Sequence, residues 1–208
     1  MSELRPSKIV CVGRNYAAHA AELGNQMPER PMLFLKPPSA LLGHGEAIRL
    51  PTASKQVEFE GEIGIVMGRR FRGGSLADAE RAIGGFTCVN DVTARDLQKV
   101  DGQWGRAKGF DTFCPAGPHV AEGLDWRSLE LSTRVNGAER QHASSRGMHF
   151  SIPELVAYIG DIMTLEPGDL IATGTPAGVG SLAPGDVVEV EISGVGVLSN
   201  TVLSGAEQ

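Results

Sequence analysis

Glycine and proline interrupt this sequence at short intervals, and that spacing limits what the chain can fold into. Its 208 residues include 27 glycines and 12 prolines, and helix interiors disfavour both residues. The pattern therefore favours many short strands joined by tight turns. Two Pro-Gly-Asp turns, at residues 167–169 and 184–186, each lead into a β-rich run. We predict a single α+β domain that is mainly β and spans residues 1–208.

One predicted helix covers residues 75–85. Ser75 and Asp78 have the spacing of a capping box at its start, and the glycine pair at 84–85 is expected to end it. A second helix is predicted over residues 151–163. It has the same box, Ser151 with Glu154, and apolar residues that share one face, namely Leu155, Ile159 and Ile162.

The clearest strand is predicted over residues 57–67, where Glu58, Glu60 and Glu62 alternate with apolar or small residues. Alternate residues of a strand point to the same face, so the three acids would stand side by side. Glutamates roughly 6.5 to 7 Å apart along a strand can converge on one ion. Hard divalent cations, Mg²⁺, Mn²⁺ or Ca²⁺, suit such oxygen ligands, and without an ion the acids repel or protonate.

Spacing alone does not establish a metal site. Glu189 and Glu191 have the same spacing on a predicted strand whose other face is apolar, which is typical of an ordinary solvent-facing strand. Asp91, at the end of another predicted strand, is a further candidate ligand, although an aspartate that starts a turn fits equally well. Lys108 lies among glycine and aromatic residues instead of in a charged run. A lone lysine is nevertheless most often a surface residue.

A short helix is also predicted over residues 15–24, with Asn15 as its N-cap and Gly24 just past its end. His19 and Glu22 would then lie on one face. A carboxylate beside an imidazole fixes its tautomer and raises its basicity, which is how a general base is built. On local grounds alone, an incidental surface pair is the alternative.

The glycine-rich stretch over residues 172–180 lacks the GK[ST] of a phosphate loop and the GxGxxG of a dinucleotide fold. Such a turn either offers backbone N–H groups to a carboxylate or is a plain turn. The other histidines show no zinc spacing.

Composition restricts the partners of the chain. A net charge of −6 without a basic stripe argues against nucleic acid, while an anionic small substrate remains compatible with a site that holds a cation. The apolar run IVCVG is too short for a signal peptide or a membrane span. Three scattered cysteines predict reduced core thiols in a cytoplasmic protein, with a catalytic thiol as the alternative: Cys11, Cys88 and Cys114.

Seven motifs, in order along residues 9–202, carry a resemblance to a known family. They are IVCVGRNYAAHAAELG, PMLFLKPPSAL, EFEGEIGIVMG, NDVTARDLQ, AKGFDTFCPAGP, FSIPELVAYI and LEPGDLIATGTPAGVG. The chain resembles the fumarylacetoacetate hydrolase family, and most closely its short acylpyruvate hydrolase-like and oxaloacetate decarboxylase-like members. The resemblance implies a mixed β-roll core over about residues 51–205, preceded by an N-terminal strand and lid segment over about residues 1–50. It also implies a homodimer.

The family's metal pattern, Glu-x-Glu followed by an aspartate, implies Glu60, Glu62 and Asp91 as ligands of Mg²⁺ or Mn²⁺, with Ca²⁺ able to replace them in crystals. Glu58 falls outside this pattern and is expected either to face solvent or to support the site. Of the three glutamates on the predicted strand, Glu60 and Glu62 would then share a cation.

The resemblance further implies that Lys108 is the active-site lysine. His19 with Glu22 would be a dyad that activates water on a mobile lid helix, and Gln98 would assist an enol intermediate. Positions expected to bind substrate are Arg95, Gly174 and Thr175.

The implied activity is metal-dependent cleavage of a carbon–carbon bond in an acylpyruvate, such as acetylpyruvate or fumarylpyruvate, giving pyruvate and a carboxylic acid. One alternative uses the same metal and the same enolate, as an oxaloacetate decarboxylase or tautomerase or a diene-dioate isomerase of aromatic catabolism. Another is a non-catalytic, metal-stabilised binding module, against which Lys108 and the dyad argue. The expected partner is a small 2-oxoacid, with no role for nucleic acid or membrane.

Overall fold

The computed structural model describes residues 4–22, 24 and 26–205. Within these ranges the strands are β1 (Ile9–Gly13), β2 (Met32–Lys36), β3 (Leu41–Leu42), β4 (Ala47–Leu50), β5 (Val57–Phe59), β6 (Gly61–Met67), β7 (Ile83–Asn90), β8 (Thr93–Ala94), β9 (Cys114–Ala121), β10 (Glu130–Val135), β11 (Ala138–Ser144), β12 (Leu170–Ala172), β13 (Gly180–Ser181), β14 (Val187–Ile192) and β15 (Gly196–Ser204). The α-helices are α1 (Ala17–Glu22), α2 (Leu76–Ala82), α3 (Arg95–Val100), α4 (Gly105–Lys108) and α5 (Ile152–Ile162). The expected mainly β, α+β fold is confirmed.

The strands of the described residues form three sheets. A seven-stranded sheet has the order β2-β1-β12-β6-β7-β9-β3, a five-stranded sheet the order β11-β10-β14-β15-β4, and a three-stranded sheet the order β13-β5-β8. The largest cluster of buried apolar side chains joins β6 and β7 of the first sheet to β10 and β14 of the second, and also includes α2 and α5. Each fully buried aliphatic side chain there contributes roughly 1.5 to 3 kcal/mol to folding.

The acidic stretch is not one strand. Glu60 separates β5, which pairs with β8 and β13, from β6, which pairs with β7 and β12. Every residue from 57 to 67 is buried, so neither face of this segment is open to solvent. The predicted continuous strand over residues 57–67 is therefore wrong at Glu60, because the chain leaves one sheet and enters another there.

Both capping boxes are confirmed. The Asp78 carboxylate accepts the Ser75 N–H at 3.1 Å, and the Glu154 carboxylate accepts the Ser151 N–H at 2.7 Å. The predicted apolar face of α5 extends one residue too far, since Ile162 in its last turn is 51% exposed.

The glycine pair after α2 does not end that helix through a left-handed cap. Strand β7 begins at Ile83, directly after α2, and both glycines lie within it. A Cβ on Gly84 would lie 2.7 Å from the Gly68 Cα, and one on Gly85 would lie 2.6 Å from the Ala121 carbonyl oxygen. Close approach of neighbouring backbones is therefore what requires glycine here.

Asn15 does not serve as the N-cap that the sequence predicts. Its amide nitrogen donates to the carbonyl oxygens of Thr173 at 2.9 Å and Phe150 at 3.1 Å, and its amide oxygen accepts the Phe150 N–H at 2.8 Å. The side chain thus ties the end of β1 to the segments that follow β12 and precede α5. Gly24 lies in a left-handed turn with φ +67° after α1, while Leu23 and Asn25, which belong to the predicted helix and lid segment, lie outside the described residues.

The three cysteines are free and buried, in agreement with the prediction of reduced core thiols. Among the described helices, none combines the length and the hydrophobicity that crossing a bilayer requires.

Candidate metal centre

Two antiparallel strands of the seven-stranded sheet, β6 and β7, bring three carboxylates together where β6 begins and β7 ends. Gly61, the first residue of β6, pairs with Asn90, the last residue of β7. This register places Glu60 and Glu62 beside Asp91, whose N–H donates to the Glu60 carbonyl oxygen at 2.8 Å. One carboxylate oxygen from each of the three acids lies within 4.8 Å of the other two, and all three side chains are buried.

Two buried lysines contact this cluster. Lys108 Nζ donates to Glu60 Oε2 at 2.9 Å and to Asp91 Oδ2 at 2.5 Å. Lys36 Nζ donates to Asp91 Oδ1 at 2.5 Å and to the Val92 carbonyl oxygen at 3.1 Å. Burial by itself would lower the pKa of Lys108, but Asp91 and Glu60 outweigh burial and hold that pKa above its ordinary value. Lys108 therefore stays charged in the metal-free site.

Glu58 is buried and supports the site from behind. Its Oε2 accepts from Arg95 Nε at 2.8 Å, and its Oε1 accepts from Gln56 Nε2 at 2.7 Å. The same guanidinium donates through Nη2 to Glu60 and through Nη1 to Gln98 Oε1 at 2.6 Å. Of the two roles expected for Glu58, solvent exposure is wrong and the supporting role agrees with these contacts.

Glu62 differs from the other acids because no cation of the described residues contacts its carboxylate, which accepts the Gly174 N–H at 2.7 Å. Burial raises the pKa of Glu62, and the charges of Asp91 and Glu60 raise it further. Burial would also raise the pKa of Glu60, but Lys108 above all outweighs it and holds that pKa well below the ordinary range. Glu62 is therefore the acid of the cluster whose ionisation the metal-free site disfavours most.

These residues fit a divalent metal ion. Within the described cluster, four buried carboxylates face three buried cations, so one negative charge is uncompensated. Three convergent carboxylates are the oxygen donors that Mg²⁺, Mn²⁺ and Ca²⁺ prefer, and they leave about three positions of an octahedral shell open. By contrast, Glu189 and Glu191 are half-exposed on β14, and Glu191 accepts from Arg134 Nη1 at 2.7 Å. The interpretation of that second pair as a solvent-facing strand is confirmed.

A cavity of about 90 Å³ opens onto the carboxylates. It contains most of the site residues that the sequence predicts, together with others that the sequence did not single out. Its lining residues are Val12, Gly13, Arg14, His19, Phe34, Glu60, Glu62, Asp91, Arg95, Gln98, Trp104, Lys108 and Thr175. Two of the predicted residues, Glu22 and Gly174, are not part of this lining and instead contact residues that are.

The dyad is assembled at the wall of this cavity. His19 Nδ1 lies 3.1 Å from Glu22 Oε2, and His19 is only 5% exposed. The Gly178 N–H donates to both oxygens of Glu22, at 3.1 and 3.3 Å, which ties α1 to the loop after β12. With Glu22 accepting the Nδ1 proton, Nε2 is the nitrogen of His19 that remains free to accept a proton.

Two residues that organise the site, Lys36 and Gln141, are not among those that the sequence predicts. For Lys36, the only local signal is its position at the end of an apolar strand, directly before two prolines. Gln141 has no local signal, yet its Oε1 accepts the Gly61 N–H at 3.0 Å and its Nε2 donates to Thr175 Oγ1 at 2.7 Å. Thr175 Oγ1 in turn donates to the Gly61 carbonyl oxygen at 2.8 Å. Gln141 thus holds the Thr175 loop against the residue between the two glutamates.

Known proteins are similar to this chain in sequence and in fold. Residues 8–203 match the family described as fumarylacetoacetate (FAA) hydrolase C-terminal. Oxaloacetate tautomerase YisK of Bacillus subtilis is 43% identical over 212 residues, which cover 95% of this chain and 70% of that protein. The mitochondrial oxaloacetate decarboxylase of Dictyostelium discoideum is 43% identical over 195 residues, which cover 90% of this chain and 89% of that protein.

Among solved structures, that of 2-hydroxyhepta-2,4-diene-1,7-dioate isomerase from Mycobacterium marinum is similar at a TM-score of 0.90 and 48% identity. The likeness covers 97% of this chain and 76% of that one. The family match over residues 8–203 includes the strands that carry the three carboxylates and every residue that lines the cavity. The chain belongs to the fumarylacetoacetate hydrolase family.

Proposed function

We propose that this chain is a divalent-metal-dependent enzyme that acts on a small 2-oxoacid through its enolate, with oxaloacetate as the substrate. The reaction is keto–enol tautomerisation or decarboxylation. The observation that carries the proposal is the buried three-carboxylate cluster, in which Glu62 lacks a cationic partner. The sequence resemblance favours acylpyruvate hydrolysis, with the oxaloacetate reactions as its alternative, but the relatives named as an oxaloacetate tautomerase and an oxaloacetate decarboxylase support that alternative.

Glu60, Glu62 and Asp91 would hold the metal. When bound, a divalent cation polarises the 2-oxo group of the substrate and stabilises the negative charge of an enolate. Lys108 keeps its proton beside Glu60 and Asp91, so it supplies a second, fixed positive charge next to the reacting oxygens. Charges that are already oriented before the reaction begins are usually the largest electrostatic contribution to catalysis.

His19 supplies the proton transfer in this proposal. In tautomerisation, Nε2 removes a proton from C3 of the keto form, and the 2-oxo oxygen takes up a proton to become the enol hydroxyl. In the reverse direction the hydroxyl loses its proton and Nε2 returns one to C3. In decarboxylation, the C3–C4 bond breaks and CO₂ leaves with the electron pair retained at C3, which a protonated Nε2 then protonates. Glu22 holds Nδ1 in both cases, at 3.1 Å.

The size of the cavity supports a small substrate. Its volume of about 90 Å³ is far below the roughly 300 to 1,000 Å³ of sites for drug-sized ligands. Phe34 and Trp104 lie on its wall with their ring centroids 5.3 Å apart, so two packed aromatic rings form part of its boundary. A four-carbon dicarboxylic acid therefore suits the pocket better than a seven-carbon diene-dioate.

Acylpyruvate hydrolysis stays a second candidate because the His19–Glu22 pair is buried at the cavity wall, where a general base for water is needed. In that reaction, Nε2 takes a proton from water, the resulting hydroxide attacks the distal carbonyl carbon, and the carbon–carbon bond breaks to release pyruvate as its enolate. Acetylpyruvate and fumarylpyruvate remain the test substrates.

The deciding experiment gives purified, metal-stripped protein oxaloacetate, acetylpyruvate and fumarylpyruvate, each with and without Mg²⁺ or Mn²⁺. The ultraviolet absorbance of enol-oxaloacetate follows tautomerisation, and product analysis follows CO₂, pyruvate and the released acid. We expect metal-dependent loss of the enol signal, or CO₂ release, from oxaloacetate. Metal-dependent release of an acid together with pyruvate, with oxaloacetate untouched, would instead establish the hydrolase.

The expected assembly rests on the resemblance, and the expected location rests on the three scattered cysteines; both remain proposals. We propose that the chain forms a homodimer and acts in the cytoplasm on a free small molecule. Light scattering coupled to size-exclusion chromatography would measure the mass in solution, and a mass equal to that of one chain would reject the dimer.

A further inference from the structure

Arg14 is a cavity-lining cation without an assigned role. It lies directly after β1 and is partly buried at the wall of the cavity that contains the carboxylate cluster. No hydrogen bond or ion pair is formed by its side chain with any described residue. The other two permanently charged cations of the lining, Arg95 and Lys108, are both bound to acids.

The backbone holds Arg14 firmly in this place. Its φ of +58° lies in the left-handed region, which an arginine adopts only when its surroundings impose it. On one side Gly13 ends β1, and on the other the buried amide of Asn15 is fixed by hydrogen bonds to Thr173 and Phe150. The guanidinium is therefore presented from a rigid position and not from a freely moving loop.

We propose that Arg14 binds the distal carboxylate of a dicarboxylic substrate and so selects dicarboxylic over monocarboxylic 2-oxoacids. This inference rests on the proposed function, since it concerns the same cavity. The carboxylate and 2-oxo oxygens of the substrate belong at the metal cluster, so a second carboxylate needs a different cation. An unpaired guanidinium can supply two parallel N–H donors to a carboxylate, which is the geometry that arginine provides and lysine does not.

Arg95, which the sequence analysis proposed for substrate binding, is less able to take this role. Its Nε, Nη1 and Nη2 already donate to Glu58, Gln98 and Glu60. Recruiting Arg95 to substrate would leave the buried Glu58 without a cationic partner and Glu60 with Lys108 alone, at a high cost in free energy. The structure therefore assigns Arg95 to orienting Glu60 and leaves Arg14 for the ligand.

The test compares two unreactive ligands that differ only at the distal end, L-malate and L-2-hydroxybutyrate. Calorimetry on Mg²⁺-loaded protein measures the dissociation constant of each. The wild-type protein should bind malate about ten- to a hundredfold more tightly, the range of a charge-assisted contact. Arg14→Gln should bring the two constants within about threefold of each other by weakening malate alone. Arg14→Lys should restore part of the preference, because it keeps the charge without the paired donors.

Arg69→Gln is the matched control, because Arg69 is exposed and lies outside the cavity lining. It should keep the full preference for malate, and Arg14→Gln should keep wild-type Mg²⁺ affinity and circular dichroism. The inference is overturned if the wild type shows no preference, or if Arg14→Gln retains it. An Arg14-dependent preference together with no metal-dependent turnover of oxaloacetate would uphold the inference and reject the proposed function.

Discussion

Glu60 and Glu62 are two residues apart but lie in opposite electrostatic surroundings. Glu60 accepts from both Arg95 and Lys108, whereas the carboxylate of Glu62 accepts a single backbone N–H, from Gly174. A buried carboxylate with two cations stabilises those cations in turn, while a buried carboxylate without one carries an unrelieved desolvation cost. The same substitution should therefore have opposite effects at the two positions.

The first prediction concerns Glu60→Gln and Glu62→Gln, compared as metal-free proteins by urea unfolding at neutral pH. Glu60→Gln should lower the free energy of unfolding by about 1.5 to 3 kcal/mol, since it removes the charge that accepts from two buried cations, while Arg95 keeps Glu58 and Lys108 keeps Asp91. Glu62→Gln should raise it by about 1 kcal/mol, because it replaces an acid whose ionisation the buried site disfavours with a neutral amide that keeps an oxygen acceptor for Gly174.

Both variants should lose the stabilisation that saturating Mg²⁺ gives to the wild-type protein. Two results would contradict this account of the cluster: equal destabilisation by both substitutions, or Mg²⁺ stabilisation that survives Glu62→Gln.

The second prediction separates the dyad from an incidental pair. His19→Ala should reduce kcat about 10²- to 10⁴-fold, the usual contribution of a general acid–base group, and should leave Mg²⁺ affinity unchanged. His142 is the matched control, because it also lies three residues from a glutamate, Glu139, but at 61% side-chain exposure. His142→Ala should keep wild-type kinetics. If both variants keep full activity, the role assigned to His19 is wrong.

At the scale of elements, the start of the first strand depends on a carboxylate from another part of the chain. Asp169 follows the turn before β12 and is fully buried. It accepts the N–H groups of Ser7 at 2.9 Å, Lys8 at 3.1 Å and Glu166 at 2.8 Å, and the Lys8 ammonium contacts it as well. These bonds fix the start of β1 beside its parallel partner β12.

The third prediction follows from the pKa of Asp169. Burial would raise this pKa, but the hydrogen bonds from Glu166, Lys8 and Ser7 outweigh burial and hold it below its ordinary value. Because the pKa of Asp169 is lower in the folded protein than in the unfolded chain, its ionised carboxylate stabilises the fold at any pH above the unfolded-state pKa of about 3.9. That stability is lost as the pH falls through the folded-state pKa. Asp169→Asn should therefore cost about 2 to 4 kcal/mol at pH 7.

The difference between Asp169→Asn and the wild type should shrink steadily as the pH is lowered below about 4, as measured by urea unfolding at a series of pH values. Asp161→Asn is a matched control, since that aspartate is exposed on α5 and its carboxylate makes no hydrogen bond or ion pair with the described residues. A penalty for Asp169→Asn that does not depend on pH would show that packing, not charge, is responsible.

At the scale of the whole molecule, the three sheets bury every cysteine. Burial raises the pKa of Cys88 and that of Cys114 to about 12, and it raises the pKa of Cys11 well above the ordinary range. Since only the thiolate reacts readily, the thiols of the folded protein should be inert at neutral pH.

The fourth prediction is that a disulfide reagent modifies the three thiols at the rate of unfolding in native buffer between pH 7 and 9. In guanidinium chloride all three should react at once. A thiol that reacts rapidly in the native protein would contradict this prediction and would revive the catalytic thiol that the sequence analysis kept as an alternative.

The sequence by itself determined those features that depend on residues close together in the chain. Capping boxes, Pro-Gly-Asp turns and a mainly β fold follow from local spacing, because backbone dihedrals and short-range hydrogen bonds are set within a few residues. The three acids of the cluster, Glu60, Glu62 and Asp91, came instead from the resemblance to a family pattern, because spacing alone did not distinguish them from Glu189 and Glu191. Whether they line a cavity could not be read from that pattern.

Only the tertiary structure decided the charge balance of the site. Lys36 reaches Asp91 across 55 positions, and Arg95 reaches Glu58 across 37. Gln141 reaches Gly61 across 80 positions. Residue spacing shows which side chains share a face of a strand, but the elements that cover the face are brought there by the fold. Burial then decides whether a carboxylate is solvated, paired with a cation, or left to bind a metal.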